Sequence, residues 1–305
     1  MLRSFQISEA RILPTEEEET APVLLYVQPD TEERRELIDR YRVDEHTLSS
    51  ALDPDEVPRV EFEPEHLAVI FKRPKSYSAQ DNFLFSVLSG GMFLFKDRLI
   101  VVLSENSPLF DSKQFAKVAS PHDIMLKLLN RTIYHFLEHL KVITQVSDSL
   151  EQKINASMEN RYLLNLFTLE KSLVYYLNAI NSNSTVIDKL RNNAARIGFN
   201  QEQIELLEDI SIENLQCYKQ AEIYSNILSS MMDARASIVN NNLNQLMKTL
   251  NVITIGIMVP TFVVSAFSMN VAIPLQKLPY AFWMIMGFAA ISVAMFMGLW
   301  HYKKR

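Results

Sequence analysis

The chain has 305 residues and a formal net charge of −6, and its acidic residues are confined to one part of the sequence. No Asp or Glu follows Asp233, whereas five basic residues lie at or after Lys248, so the segment before Lys248 holds 25 basic against 36 acidic residues. Such an acidic surface attracts cations and argues against nucleic-acid binding. The single cysteine, Cys217, excludes an internal disulfide and is typical of a reducing compartment.

Residues 1–118 are expected to form a cytoplasmic α/β domain, because short apolar runs alternate with helical patterns. The predicted elements are buried strands over residues 23–27, 67–71, 83–87 and 99–103, and helices over residues 32–41 and 44–52. The pair Gly90-Gly91 is interpreted as a hairpin turn.

Residues 119–246 predict a stalk region of long helices. Apolar residues at helical spacing indicate helices over residues 122–158 and 160–193. Gly198 then predicts a helix end, and Asn200 predicts the N-cap of the next helix, with Gln203 three residues later. That helix meets no proline or glycine before Gly256, so it is expected to run on for about 65 residues, on the order of 100 Å. A stretch of this length favours a coiled-coil-like stalk.

Two apolar runs in residues 247–305 are long enough to cross a bilayer. They cover about residues 247–267 and 280–300, and the outer loop 268–279 joins them. A helix of ~20 apolar residues spans the ~30 Å hydrocarbon core. The alternative is a buried helical hairpin in a soluble protein. Aromatic residues at both ends of the second run argue against it, because such rings favour the headgroup level; they are Tyr280, Trp283, Trp300 and Tyr302.

The basic residues near these runs predict the orientation in the membrane. Lys248 precedes the first run and residues 303–305 are Lys-Lys-Arg, whereas only Lys277 lies in the loop between the runs. The positive-inside rule therefore places both termini in the cytoplasm. The first residues have no apolar signal-peptide core, so the preceding domain is expected to stay in the cytoplasm. The sequence thus predicts a multi-pass protein of the cytoplasmic (inner or plasma) membrane.

A polar stripe runs along the last long helix into the first span. Its members step alternately by four and three residues, which keeps one face directed at a shared axis in a left-handed bundle. The stripe consists of Asp233, Ser237, Asn240, Asn244, Met247, Asn251, Thr254, Met258, Thr261, Ser265 and Ser268. A polar face directed at lipid is costly, so this face is expected to meet protein or water.

Two interpretations of the stripe remain open. Small and hydroxyl residues often line helix contacts in membranes, so the stripe is compatible with simple packing. Asn244 and Asn251 are larger and more polar than close packing needs, which favours a pore. Two helices cannot enclose a conducting path, so a pore requires a homo-oligomer. The membrane part of the stripe has no acid, but neutral groups can hydrogen-bond the water shell of a hydrated Mg²⁺ ion.

The tetrapeptide Phe267-Ser268-Met269-Asn270 lies at the outer end of the first span. It is similar to the signature Tyr-Gly-Met-Asn of the CorA family of magnesium transporters, which essentially the whole chain resembles, most specifically in its C-terminal third and more weakly over residues 1–120. Residues 258–262 (Met-Val-Pro-Thr-Phe) are similar to the family's Met-Pro-x-Thr-Phe run, and residues 244–248 look like the opening of its pore helix. The resemblance implies a homopentameric, channel-like transporter of divalent cations, with Mg²⁺ first and Co²⁺ or Ni²⁺ as further ions. Its partners are further copies, membrane lipids and the cations, without an organic cofactor.

The resemblance also implies roles for individual residues. Ser268, Met269 and Asn270 correspond to the selectivity filter, with Asn270 in the outer ring and Met269 packing it in place. In the family, Mg²⁺ bound between cytoplasmic domains holds the pore shut. Asp209 matches a sensing aspartate of that regulatory site, and Asp81 of the α/β domain is the candidate for its partner. The expected pore lining, in which Asp233 forms an acidic ring and Leu250 and Met258 narrow the path, is Asp233, Asn240, Asn244, Met247, Leu250, Asn251, Thr254, Met258, Thr261 and Ser265.

Two features depart from the family pattern, and alternatives stay open. Ser268 replaces the signature glycine, which serves close backbone approach or positive φ, and the outer loop has Lys277 where many relatives have an acid. A zinc transporter of the same superfamily and a non-conducting, membrane-tethered scaffold or sensor are the other candidates.

A possible enzyme motif is interpreted as a decoy. His135, Glu138 and His139 match the H-x-x-E-H pattern of inverted zinc proteases. No third ligand is identifiable in the sequence, and both histidines are expected on a solvated helix face, so no enzymatic activity is predicted.

Overall fold

The computed structural model describes residues 1–77, 83–107, 109–110, 115, 117–156, 160–269, 271 and 278–304. Its strands are β1 (Leu2–Ser8), β2 (Arg11–Thr15), β3 (Val23–Val27), β4 (Arg59–Phe62), β5 (Leu67–Pro74), β6 (Val87–Leu94) and β7 (Leu99–Leu103). Its helices are α1 (Thr31–Asp39), α2 (Glu45–Leu52), α3 (Pro121–Ala156), α4 (Asn160–Asn192), α5 (Ala194–Ile197), α6 (Gln201–Ala266) and α7 (Ala281–Lys304).

Among the described residues, the strands form one mixed sheet of seven strands in the order β2-β1-β3-β7-β6-β5-β4. Only the β3–β7 pair is parallel, with Val23 opposite Leu99 and Val27 opposite Leu103. The remaining neighbours are antiparallel. The chain therefore leaves β3, passes through α1, α2 and the β4–β6 meander, and returns to the centre of the sheet at β7.

The sheet is covered on both faces. Alternate residues of its central strands point to opposite faces and enter two different core clusters. Leu24 and Tyr26 of β3 belong to a cluster with Leu37 of α1 and Leu48 of α2. Val23, Leu25 and Val27 point the other way, into a larger cluster shared with α3, α4 and the first part of α6. Because both faces are buried, β3 and β7 have continuous apolar sequences rather than alternating ones.

The chain comprises two compact units, Met1–Met232 and Asp233–Arg305. The first holds the sheet, α1 to α5 and the beginning of α6. The second holds the rest of α6 together with α7. The stripe defined above, from Asp233 to Ser268, lies entirely in the second unit.

Most predicted elements of the first unit are confirmed, but the strand predicted over residues 83–87 is wrong for all but its last residue. Residues 83–86 form no strand, since the backbone N–H of Phe85 donates to the hydroxyl of Ser172 at 3.0 Å, and the Phe85 ring stacks on Tyr77 at 4.3 Å. The apolar run 83–87 instead packs its aromatic side chain against α3 and α4, and the strand begins at Val87. Strands β1, β2 and β4 were not predicted.

The pair Gly90-Gly91 is not a hairpin turn but lies inside β6. A Cβ at Gly91 would sit 2.6 Å from the Cβ of Ala51 on α2, which is far inside van der Waals contact. Gly91 therefore allows α2 to approach the sheet closely. Here a glycine inside a strand is explained by close packing and not by a turn of the chain.

The helix boundaries between α4 and α6 follow the predicted signals. Gly198 caps α5 in the left-handed region at φ 89°. The side chain of Asn200 accepts from the backbone N–H of Gln203 at 2.9 Å, while the Gln203 side chain accepts from the Asn200 backbone N–H at 3.0 Å. This reciprocal capping box starts α6, which then continues for 66 residues as predicted.

The expectation that the H-x-x-E-H histidines lie on a solvated face is wrong. His139 is buried, and its Nδ1 is 2.6 Å from the hydroxyl of Tyr176 on α4. Its ring contacts the edge of Phe85, and His135 packs against it with ring centroids 4.5 Å apart. This face of α3 is therefore part of the contact with α4. Among the described residues, no group of three or more His, Cys, Asp or Glu side chains is arranged to hold a metal.

Burial of this histidine pair predicts a loss of stability in mild acid. Burial lowers the pKa of His135 and of His139 to about 4, and for His135 the neighbouring His139 adds to the effect. Because the folded pKa lies below the ordinary value, the unfolded chain binds protons first as pH falls below about 6.5. The free energy of unfolding should then fall by up to about 1.4 kcal/mol per pH unit for each histidine, down to about pH 4.

The measurement is the apparent melting temperature of the purified protein between pH 7 and pH 4. His139→Phe keeps a ring against Tyr176 and Phe85 but removes one titrating group, so the slope of melting temperature against pH should flatten. His46→Gln at an exposed position is the matched control and should leave the slope unchanged. Equal slopes in all three proteins would contradict the assignment.

Candidate functional site

Two helices of the second unit are long and apolar enough to cross a membrane. Among the described residues, they are the C-terminal part of α6 and residues 281–302 of α7. Their most apolar segments are 0% and 6% buried within the chain. The buried hairpin of a soluble protein would show the reverse, because its apolar surface would be covered by the rest of the fold.

The helix α7 packs on one side of α6. Phe296 lies 4.0 Å from the position that a Cβ at Gly256 would take, and Phe288 stacks on Phe267 with ring centroids 6.4 Å apart. Val259 and Val263 are also partly covered. These α6 positions are separated by three, four or seven residues, as expected for one face of a helix.

The polar stripe lies on the other side of α6 from these contacts. Gly256, Val259 and Val263 each follow a stripe position by five residues, which is a rotation of about 140° around the helix axis. Every stripe residue from Asp233 to Ser268 is exposed within the chain, as are Leu250 and Met269. Met247 and Met258 have exposed fractions of 61% and 63%. The chain therefore leaves its polar membrane face without cover.

The hydroxyl groups of the stripe present acceptors outward. Thr254 donates to the carbonyl of Leu250 at 2.9 Å, and Thr261 donates to the carbonyl of Ile257 at 2.7 Å. Each hydroxyl has one hydrogen, so these bonds leave only oxygen lone pairs for other partners. The water shell of a hydrated cation presents hydrogens outward and needs acceptors. The stripe thus offers acceptor oxygens that suit the water shell of a hydrated cation.

Ser268 ends the stripe without backbone strain. Its backbone N–H and its hydroxyl both donate to the carbonyl of Ser265, at 3.1 and 2.9 Å. Its φ is not among the positive values of the described residues. The serine in place of the signature glycine is therefore compatible with the local backbone. Asn270, the next polar residue along, lies outside the described residues.

The structure describes one of the two residues expected at a regulatory cation site. Asp209 is exposed on α6 in the first unit, and Asp81 lies outside the described residues.

One further feature of the second unit was not indicated by the sequence pattern. A cavity of about 660 Å³ opens between α6 and the end of α7, lined by Asn241, Gln245, Lys248, Thr249, Val252, Ile253 and Trp300. The sequence marked Lys248 and Trp300 only as signals of orientation and of the membrane boundary. That Lys248 and Trp300 line the same cavity follows only from the packing of α7 on α6, which the sequence does not give.

Comparison with known proteins places these features in a family. The model of the CorA-like Mg²⁺ transporter protein family matches residues 24–303. The cobalt/magnesium transport protein CorA of Methanocaldococcus jannaschii is 24% identical over 278 residues, which cover 88% of this chain and 86% of that protein.

Solved structures show the same fold at low sequence identity. The complete structure of the CorA magnesium transporter from M. jannaschii superimposes with a TM-score of 0.83 at 23% identity, covering 98% of this chain and 96% of that one. Full-length CmaX gives a TM-score of 0.75 at 15% identity, covering 100% and 97%. The cytoplasmic domain of ZntB from Vibrio parahaemolyticus gives 0.60 at 12% identity, covering 78% and 98%. The family model spans both units of the structure, and we conclude that the chain belongs to the CorA-like Mg²⁺ transporter family and is a divalent-cation transporter of that family.

Proposed function

We propose that the chain forms a homopentameric channel that conducts Mg²⁺, and also Co²⁺ or Ni²⁺, across the cytoplasmic membrane with both termini in the cytoplasm. The observation that carries the proposal is the uncovered polar stripe on α6, opposite the face that α7 covers. A single chain cannot enclose a path with two helices. Further copies must therefore cover the stripe, because lipid cannot satisfy its polar groups.

In this proposal, neutral rings along the stripe guide a hydrated ion. Asn244, Asn251, Thr254 and Thr261 supply amide and hydroxyl oxygens to the ion's water shell, and Leu250 and Met258 narrow the path. Mg²⁺ dehydrates reluctantly, so contacts through its waters bind it loosely enough to leave. The names of the M. jannaschii relatives, which specify magnesium and cobalt, support this choice of ions.

The outer mouth and the cytoplasmic switch complete the proposal. Ser268, Met269 and Asn270 form the outer filter, where Asn270 supplies an amide ring. Asp233 supplies an acidic ring at the cytoplasmic end of the stripe. Asp209, with Asp81 of another copy, binds regulatory Mg²⁺ that holds the pore shut, because the cation bridges carboxylates that repel each other when the site is empty.

Cross-linking tests whether the stripe faces other copies. In Asn251→Cys and in Met258→Cys, a short bis-maleimide should join two chains in membranes and give a dimer band on a denaturing gel. Val263→Cys, on the face partly covered by α7, is the matched control and should stay monomeric. The native Cys217 should not react with the maleimide, because burial raises the pKa of its thiol to about 12. Efficient cross-linking of Val263→Cys alone would contradict the assignment of faces.

Uptake into proteoliposomes tests conduction and the outer filter. The wild-type protein should import Mg²⁺, and Asn270→Ala should slow the initial rate about tenfold, which corresponds to about 1.4 kcal/mol in the barrier. Asn251→Ala should also slow uptake, since it removes one ring of the stripe. Asn242→Ala removes the same side chain from the opposite side of α6 and should have little effect.

Competition between ions then separates the alternatives. Uptake of Mg²⁺, inhibited by Co²⁺ or Ni²⁺, is the expected result. Uptake of Zn²⁺ without Mg²⁺ would indicate a zinc transporter, and no uptake of any divalent ion would indicate a scaffold or sensor. Unchanged Mg²⁺ uptake in Asn270→Ala would contradict the assignment of Asn270 to the selectivity filter.

A charge-removing variant tests the regulatory site. Asp209→Asn should raise the internal Mg²⁺ concentration that half-inhibits uptake by about tenfold, equivalent to about 1.4 kcal/mol of binding free energy. Glu208→Gln neutralises the neighbouring exposed acid and should keep wild-type inhibition. The same shift in both variants would point to a general effect of surface charge and not to a site at Asp209.

A further inference from the structure

The cavity between α6 and the end of α7 has the character of a ligand site. Its volume of about 660 Å³ lies within the range of small-molecule sites in proteins. Six lining residues come from three successive turns of α6, and Trp300 of α7 supplies the opposite wall. None of the six belongs to the polar stripe, so the cavity is separate from the proposed conducting path.

The lining changes from polar to apolar along the helix. Asn241, Gln245 and Lys248 lie toward the N-terminal end of the cavity, and Val252 and Ile253 lie toward the span. Twelve residues separate Asn241 from Ile253, a rise of about 18 Å. A ligand with a polar end and an apolar end, arranged along the membrane normal, matches this gradient.

The charge of the cavity selects an anion. Lys248 is its only charged lining residue. Asp233 is the last acidic residue in the sequence and lies 15 residues before Lys248, a rise of about 22 Å, so no acidic side chain of α6 or α7 opposes an anionic ligand beside Lys248. Among the described residues, the Lys248 ammonium has no ion-pair partner. Near Lys248 the amides of Asn241 and Gln245 supply further N–H donors.

The position of the cavity fits a lipid of the cytoplasmic leaflet. This step rests on the proposed function, which directs the stripe at the channel axis and places Lys248 and Trp300 at the cytoplasmic boundary. The cavity lies on the α7 side of α6: Thr249 and Ile253 face away from the stripe, whereas Asn241 and Lys248 lie at its flank, so assembly around the stripe leaves the α7 side of the cavity facing outward. Trp300 is an indole of the kind enriched at the headgroup level. Anionic lipids of this leaflet attract basic groups at the boundary.

We propose that this cavity binds an anionic phospholipid of the cytoplasmic leaflet. The Lys248 ammonium pairs with the phosphate, and the amides of Asn241 and Gln245 donate to phosphate or glycerol oxygens. Val252, Ile253 and the ring of Trp300 contact the beginning of an acyl chain. Because its walls come from both membrane helices, a bound lipid stabilises the packing of α7 on α6.

Native mass spectrometry of the detergent-purified full-length protein tests the proposal. Phosphatidylglycerol added in excess should remain bound through gas-phase activation, whereas phosphatidylcholine with the same acyl chains should bind at least fivefold more weakly. Lys248→Gln should lose at least fivefold in apparent affinity for phosphatidylglycerol. Trp300→Ala should weaken both lipids together, because it removes a contact to the acyl chain. Inorganic phosphate should not compete, since it lacks that chain.

Arg235→Gln is the matched control, because it removes one cation from the same helix about 20 Å before Lys248. It should retain wild-type binding of phosphatidylglycerol. Equal losses in Arg235→Gln and Lys248→Gln, equal binding of the two lipids, or competition by inorganic phosphate would each overturn the proposal. Circular dichroism of each variant confirms folding before lipid is added. Lipid binding and ion uptake are read separately, so a wild-type protein that binds phosphatidylglycerol without uptake would refute only the conduction proposal.

Discussion

Hydrocarbon offers no hydrogen-bond partners, and this constraint decides how the membrane unit must be completed. The span of α6 carries amide and hydroxyl groups on one face, from Asn244 to Ser268, while α7 covers the opposite face through Phe288 and Phe296. Hydroxyls that bond back to their own helix are satisfied as donors but retain unsatisfied acceptors. The asparagines have no such local solution. Their cover must come from other copies and from water between them, which is the physical basis of the proposed channel.

The same helix serves two environments, and its sequence changes character between them. Before residue 233, α6 buries Leu207, Ile210, Cys217 and Ala221 in the core of the first unit. From Asp233 onward no α6 residue is buried within the chain, and the four-three positions become polar. The change coincides with the boundary between the two compact units. Hydrophobic burial within the chain holds the first part of the helix in place. The second part has no such cover within the chain, and in the proposed channel other copies supply it.

The sequence predicts helices and membrane spans better than it predicts the sheet. The limits of α6 follow from local signals, namely the Asn200–Gln203 capping box at one end and the lack of breakers along its length. Strands β1, β2 and β4 have partly polar, partly exposed sequences whose pairing is decided by distant segments. Gly91 resembles a turn residue until the Ala51 contact is known, and His139 resembles a surface residue until Tyr176 is placed beside it. The stripe was predictable because helical periodicity alone defines it. The cavity beside Lys248 and Trp300 was not, since it depends on how two helices pack.

Cysteine-accessibility scanning of transport tests the central claim most directly. Single cysteines would be placed at Thr254 on the stripe and at Val259 on the α7 side, and Mg²⁺ uptake would be measured before and after a charged, water-soluble thiol reagent. If α6 lines the conducting path, the reagent blocks uptake in Thr254→Cys and leaves uptake in Val259→Cys unchanged. Block in Val259→Cys alone, or equal rates with and without reagent in both variants, would contradict the account.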